Sequence, residues 1–106
     1  MTKVDFMKMG GLIPAVVQDA RTNEVLMLGF MNDAALEKTR QTGFVTFWSR
    51  TRGALWTKGE TSGNTLVVQS LSIDCDNDSL LVKAIIGGEG VCCHTGERSC
   101  FFRNLE

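Results

Sequence analysis

All four cysteines of the chain, Cys75, Cys92, Cys93 and Cys100, and its single histidine, His94, lie between Asp74 and Phe102. Three aspartates, Asp74, Asp76 and Asp78, alternate around the first of those cysteines. A chain that gathers its soft ligands and a run of hard ones into so short a stretch points to a metal site there, with the remainder as scaffold and pocket. No Cys-x-x-Cys pair occurs, and the separations from Cys75 to Cys93 and from Cys93 to Cys100 are eighteen and seven residues. Structural zinc is usually closed by four ligands, commonly in tight pairs, whereas catalytic zinc keeps one position for water. Three thiolates plus water fit the spacing better than a zinc ribbon. A closed structural site and unliganded buried or redox thiols remain open as alternatives.

Cys92 adjoins Cys93, and adjacent side chains seldom reach one ion without backbone strain. Its plainer reading is a small buried apolar residue. His94 can serve as a fourth ligand, as a solvated loop residue, or as a proton carrier beside a metal-bound water, since imidazole titrates near neutrality. In extended backbone Asp74, Asp76 and Asp78 would project to one face and Cys75 to the other. Three close carboxylates repel one another unless a cation sits among them, and a hard divalent ion such as magnesium or calcium would relieve that. An EF-hand loop is excluded, because Ser79 and Ile85 stand where Gly and Glu are required. A solvated acidic turn between two strands is the bland alternative.

The 106 residues make one domain, of a size that buries somewhat over about 60% of its unfolded surface. A net charge of −1 leaves no electrostatic footprint for nucleic acid or an anionic membrane. No apolar run approaches the ~20 residues of a spanning helix. The N-terminus lacks the apolar core and cleavage site of a secretory signal, so a cytoplasmic location is expected. Cysteines in that setting more often bind metal or react than form disulfides.

Taken in order, residues 1 to 9 read as a lead-in, a frayed strand or turn. Residues 12 to 30 read as a β-hairpin, with strands Leu12 to Gln18 and Glu24 to Phe30 about a turn cluster at 19 to 23. Asn32 is a helix N-cap, Asp33 suits the first turn and Gly43 supplies the stop, predicting one helix over 33 to 42. From Phe44 the period becomes two. Strands are expected over 44 to 49, 55 to 57, 65 to 73 and 79 to 86, with a final short strand near Phe101 and Phe102. The expected class is α+β and β-rich, a mixed curved sheet or pseudo-barrel with one main helix.

A second constellation precedes the cysteines: Ser49-Arg50-Thr51-Arg52, then Lys58-Gly59-Glu60-Thr61-Ser62-Gly63-Asn64. Guanidinium forks, an ammonium and loop N–H groups could grip phosphate. It is not a Walker loop, because the required glycine-lysine frame is absent. Alone it would equally be a turn with surface charges.

Together these segments closely resemble the phosphoribosyl-AMP cyclohydrolase family of histidine biosynthesis, over residues 11 to 102. The carriers include Leu12-Ile13-Pro14-Ala15, Phe30-Met31-Asn32, Trp48-Ser49-Arg50-Thr51-Arg52, Leu55-Trp56-Thr57 running into Lys58-Gly59-Glu60-Thr61-Ser62-Gly63-Asn64, Asp74-Cys75-Asp76-Asn77-Asp78, and Cys93-His94-Thr95-Gly96 with Ser99-Cys100-Phe101. The resemblance implies hydrolysis of the N1–C6 purine bond of 1-(5-phosphoribosyl)-AMP by a zinc- and magnesium-using homodimer whose zinc ligands come from both subunits. It implies zinc at Cys75, Cys93 and Cys100, and magnesium at Asp74, Asp76 and Asp78. Alkylation at N1 makes C6 electrophilic, and a zinc-activated water is a natural nucleophile. N1 must be protonated as it leaves, for which His94 is the first candidate and Glu60 the second. Arg50, Arg52 and Lys58, or magnesium at the aspartates, are the expected phosphate cations, with Ser62 and Asn64 as neutral hydrogen-bonding groups.

The chain departs from the usual pattern in three places. Residues 87 to 91 run about two residues longer before the Cys-His motif, Cys92 replaces a small residue, and Thr51 stands where Ser is common. Cys93 is kept as the ligand because it alone precedes His-Thr-Gly. The chain ends four residues after Phe102, so a monofunctional enzyme, without the fused pyrophosphohydrolase of some relatives, is expected. Two other classes stay in view: a structural-zinc domain that binds without turnover, and a thiol redox sensor using Cys92 and Cys93.

Overall fold

The computed structural model describes residues 3–106, so the first two residues of the expected lead-in lie outside it. Within the lead-in, Met7–Met9 form a single 3-10 turn. The hairpin follows as β1 (Ile13–Asp19) and β2 (Val25–Met31), then helix α1 (Asp33–Thr42). After it come β3 (Thr46–Ser49), β4 (Ala54–Thr57), β5 (Leu66–Ile73) and β6 (Leu80–Ile86). Four strands make one sheet in the order β2-β1-β6-β5, while β3 and β4 form a separate hairpin. β1 runs parallel to β6 and every other pair is antiparallel, so the sheet is mixed as expected.

The period-two pattern decides which faces are buried. Ile13, Ala15 and Val17 of β1 alternate inward beside Leu80, Val82 and Ala84 of β6, and these central strands build the middle of the core. Helix α1 starts where its local chemistry says it should, with the Asn32 side chain accepting from the Ala35 N–H at 2.8 Å. It ends at Gly43, whose φ of +79° is the left-handed conformation that favours glycine. Its inner face presents Ala35, Leu36 and Thr39, and burying Leu36 contributes on the order of 1.5–3 kcal/mol. The Thr39 hydroxyl donates to the Ala35 carbonyl at 2.8 Å and accepts the Thr46 N–H at 3.0 Å, pinning β3 to the helix.

The expected pseudo-barrel is not formed. β3 and β4 are only four residues each, and the hairpin meets the main sheet through a single bridge, Phe44 with Val67. Phe44 therefore lies outside the strand it was expected to begin. The hairpin packs instead through Phe47, whose fully buried ring lies close against Gly29 in β2. A Cβ at Gly29 would come within 2.5 Å of that ring, so only glycine permits the approach. The final strand near Phe101 and Phe102 is also absent. Cys100 donates one backbone bond to Leu26 at 2.8 Å, and the chain then leaves the sheet with both phenylalanine rings exposed. Among the described residues no helix is long and apolar enough to cross a membrane.

Candidate active site

The loop that follows β6 is folded back on itself and tied to the β1–β2 turn. The Cys92 N–H donates to Arg98 and the Cys93 N–H to Glu97, both at 3.0 Å. The Ser99 hydroxyl donates to Val25 at 2.7 Å, and Arg98 pairs with Glu24 and with the buried carboxylate of Asp19. This clamp sets the Cys93 and Cys100 thiols close enough for each to shift the other's titration. Thr95 makes the two thiols unlike. Its hydroxyl lies 3.0 Å from Cys93 Sγ, and hydrogen bonds from it and its backbone hold the Cys93 thiol below its usual range. Burial, followed by the neighbouring Cys93 charge, pushes Cys100 up. Cys92 joins the core at 2% exposure, and burial pushes its thiol up to about 12 against the pull of Lys58.

Beside this loop opens a cleft of about 410 Å³. It is lined by Lys58, Glu60, Ser62 and Asn64 from one side of the sequence and by Cys93 and His94 from the other. The 58–64 loop owes its shape to Gly59, where φ is +81° and a Cβ would meet the Asn64 carbonyl at 2.4 Å. Asn64 holds the two sides together, its side-chain oxygen accepting the Glu89 N–H at 2.8 Å. Glu89 and Trp56 also line the cleft, and neither was singled out from sequence as a site residue. The run Gly87-Gly88-Glu89-Gly90 reads as a closing turn, and only its docking on Asn64 reveals Glu89's position. Trp56 also lines a smaller hollow with Ser49, Arg50 and Thr51, in which the Arg50 guanidinium sits 4.1 Å from the Phe30 ring centre. Arg52 stays on the exposed β3–β4 turn, its N–H donating to Ser49 Oγ at 3.2 Å. A larger hollow of about 710 Å³ lies between residues 3–7, the start of α1 and Asn77, and none of the expected site residues lines it.

Cys75 is elsewhere. It sits in the β5–β6 turn, before β6, whereas Cys93 and Cys100 lie beyond its far end. Seven residues of strand separate the two ends by roughly 20 Å. Its thiol is exposed. Asp74, Asp76 and Asp78 share that turn, and one carboxylate oxygen from each lies within 4.8 Å of the others. They converge by a route the alternation did not foresee. The backbone is a turn, not extended, closed by the Asp74 N–H donating to Ser79 at 3.0 Å and by Asn77 at a φ of +68°. Burial raises the Asp74 carboxyl, but the N–H groups of Asp78 and Ser79 outweigh it and hold that group low. Burial and the adjacent Asp76 push Asp78 up. An all-oxygen acidic donor set of this geometry suits a hard divalent cation.

The family model for phosphoribosyl-AMP cyclohydrolase matches residues 27–102. The chain belongs to the phosphoribosyl-AMP cyclohydrolase family. A Desulfatibacillum aliphaticivorans protein named phosphoribosyl-AMP cyclohydrolase is 55% identical over 106 residues, all of this chain and 84% of that protein. One of the same name from Methanothrix thermoacetophila is 53% identical over 92% of this chain and 78% of its own length. The histidine biosynthesis bifunctional protein HisIE of Haemophilus influenzae is 54% identical over 95% of this chain, which spans 45% of that protein. Members of the phosphoribosyl-AMP cyclohydrolase family are hydrolases.

Proposed function

We propose that the chain opens the purine ring of 1-(5-phosphoribosyl)-AMP by hydrolysing the N1–C6 bond, giving the formimino-carboxamide ribonucleotide in histidine biosynthesis. Family membership supports the reaction class. The observation that carries the residue assignments is the cleft in which Lys58, Glu60, Ser62, Asn64, Cys93 and His94 meet. His94 is exposed at its edge and is assigned delivery of a proton to N1 as that nitrogen leaves, with Glu60 the alternative donor in the same cleft. Lys58, whose charge reaches the thiols, and Arg50, across Trp56, are assigned the substrate phosphates, with Arg52 nearby on the turn. Asn64 has committed its oxygen to Glu89 and offers its N–H groups, and Ser62, which accepts the Asn64 N–H at 3.2 Å, offers its hydroxyl proton.

The thiols fit zinc only across two copies of the chain. Cys93 and Cys100 are paired, but Cys75 stands roughly 20 Å away along β6, too far for one chain to complete the set. A homodimer that seats Cys75 of a second copy against Cys93 and Cys100 resolves this, with exposed Phe101 and Phe102 supplying apolar contact area beside Cys100. Zinc held by that trio would act as a Lewis acid and make water nucleophilic near neutral pH. The same docking carries Asp74, Asp76 and Asp78 of the second copy to the cleft, where magnesium on them would neutralise phosphate charge.

Turnover of phosphoribosyl-AMP before and after zinc is stripped with a chelator tests the reaction. Ring opening should vanish with zinc and return on its addition, and zinc-loaded protein that opens no ring would defeat the proposal. Cys75→Ala and Cys93→Ala should each be inactive, yet random mixing after dissociation should restore about a quarter of wild-type activity, since half the dimers are hybrids with one intact site of two. A His94→Ala protein that keeps zinc and nearly full turnover would remove His94 from the proton role.

A further inference from the structure

Lys8 is the cation of the aspartate cluster in this structure. Its Nζ donates to the Asp76 carbonyl at 2.7 Å and lies 3.6 Å from the Asp76 carboxylate and 3.5 Å from that of Asp78. The side chain is delivered by a segment that is itself docked on the same turn. The Asp5 N–H donates to the Asn77 carbonyl at 2.7 Å, and the Lys8 N–H donates to Asp5 Oδ1 at 3.2 Å. Gly10, at a φ of +71°, then reverses the chain toward β1. Two of the three carboxylates that would have to turn toward a divalent cation thus already share one ammonium, from a residue 68 positions before Asp76.

We propose that Lys8 is a built-in competitor for the cation position at Asp74, Asp76 and Asp78, so that a divalent ion binds there only by displacing the Lys8 ammonium. The inference rests on the reading of the three aspartates as a divalent-cation site. Two partly exposed ion pairs are individually weak, so the competition is modest. Removing the charge should tighten divalent binding by about 3- to 10-fold. The displaced ammonium faces solvent, and metal occupancy is reported in the reactivity of this one lysine.

The test is a Mn²⁺ titration of the full chain by electron paramagnetic resonance, comparing wild type with Lys8→Met and Lys8→Arg, and Asp76→Asn as the site control. Lys8→Met should bind Mn²⁺ about 3- to 10-fold more tightly, while Lys8→Arg, which restores the charge, should stay near wild type. In parallel, acylation of Lys8 read by peptide mass spectrometry should accelerate when Mg²⁺ is added to wild type and not to Asp76→Asn. Equal Mn²⁺ affinity in Lys8→Met and wild type, with binding still abolished by Asp76→Asn, would overturn the competition while leaving the cation site in place. No Mn²⁺ binding by either protein, or binding indifferent to Asp76→Asn, would overturn both.

Discussion

Replacing Gly29 with alanine should damage the cleft from the far side of the core. The new methyl would stand 2.5 and 2.6 Å from Phe47 Cδ1 and Cε1 and 3.0 Å from Cγ, so the ring must move by about an ångström to regain van der Waals contact. Phe47 is buried, and with Gly29 it borders the small hollow beside Trp56 and Arg50, so a shift of its ring acts on that hollow. Its ring packs on Trp56 with centroids 5.7 Å apart, and Trp56 lines the cleft with Lys58 and His94. Overpacking of this kind costs about 1–3 kcal/mol. Ordering alanine instead of glycine in a strand returns about 0.5–1 kcal/mol. The net loss centres on about 1 kcal/mol, or about 4–8 °C in Tm for a domain of this size. Urea unfolding followed by tryptophan fluorescence, at fixed protein concentration, measures it. Phe47→Leu makes room, so its cost and that of Gly29→Ala should fall short of additive by at least about 1 kcal/mol. A Gly29→Ala protein that melts with wild type, or a double variant whose losses simply add, would refute the reasoning.

Two other perturbations test the cysteine loop. Arg98→Ala leaves the Asp19 carboxylate, 5% exposed, with only the backbone N–H groups of Arg21 and Thr22 as partners. It should cost about 1–3 kcal/mol and speed hydrogen exchange at the Cys92 and Cys93 amides, and unchanged exchange there would show that the clamp does not hold the loop. In zinc-stripped protein at pH 8, iodoacetamide should label Cys93 well before Cys92, because Thr95 lowers one thiol and burial raises the other. The folded Cys92 thiol, at about 12, titrates above its ordinary 9.0, so its linked stability is complete below pH 9 and falls as pH rises toward 12. Cys92→Ala should therefore lose less stability than wild type over that interval, and parallel curves would reject the burial argument.

What could be read from the residues alone was what local chemistry decides. The helix begins and ends on Asn32 and Gly43 because capping is settled within a turn. The β1–β2 hairpin and the inward set Ile13, Ala15 and Val17 follow from alternation. The cleft run from Lys58 to Asn64 is contiguous, so its residues could not fall far apart. Pairings across the chain were out of reach. Nothing near Cys75 says that β6 will carry Cys93 and Cys100 to the opposite end of the sheet. The aspartates converge through a left-handed Asn77, which alternation does not signal, and Lys8 reaches them only because residues 3 to 11 dock on that turn. Phe101 and Phe102 looked like a strand because two aromatics in a row suit one, but after the single Cys100 bond to edge strand β2 the chain makes no ladder.

The parallel pairing of β1 with β6 joins Ala15 to Leu80 and Asp19 to Ala84. During synthesis at about 5–20 residues per second, β1 leaves the ribosome roughly 3–13 s before β6 is complete. For that interval the first hairpin has neither its parallel neighbour nor the Arg98 clamp, and an isolated two-stranded hairpin is marginal in water. Its inward residues Ile13, Val17 and Leu26 are then open to other nascent chains. The central strand of the finished sheet is the oldest part of the molecule, and it waits longest for a partner. Slower translation of residues 20 to 86 lengthens that wait, so the yield of soluble protein should depend on the speed at which that stretch is made as well as on the stability of the final fold.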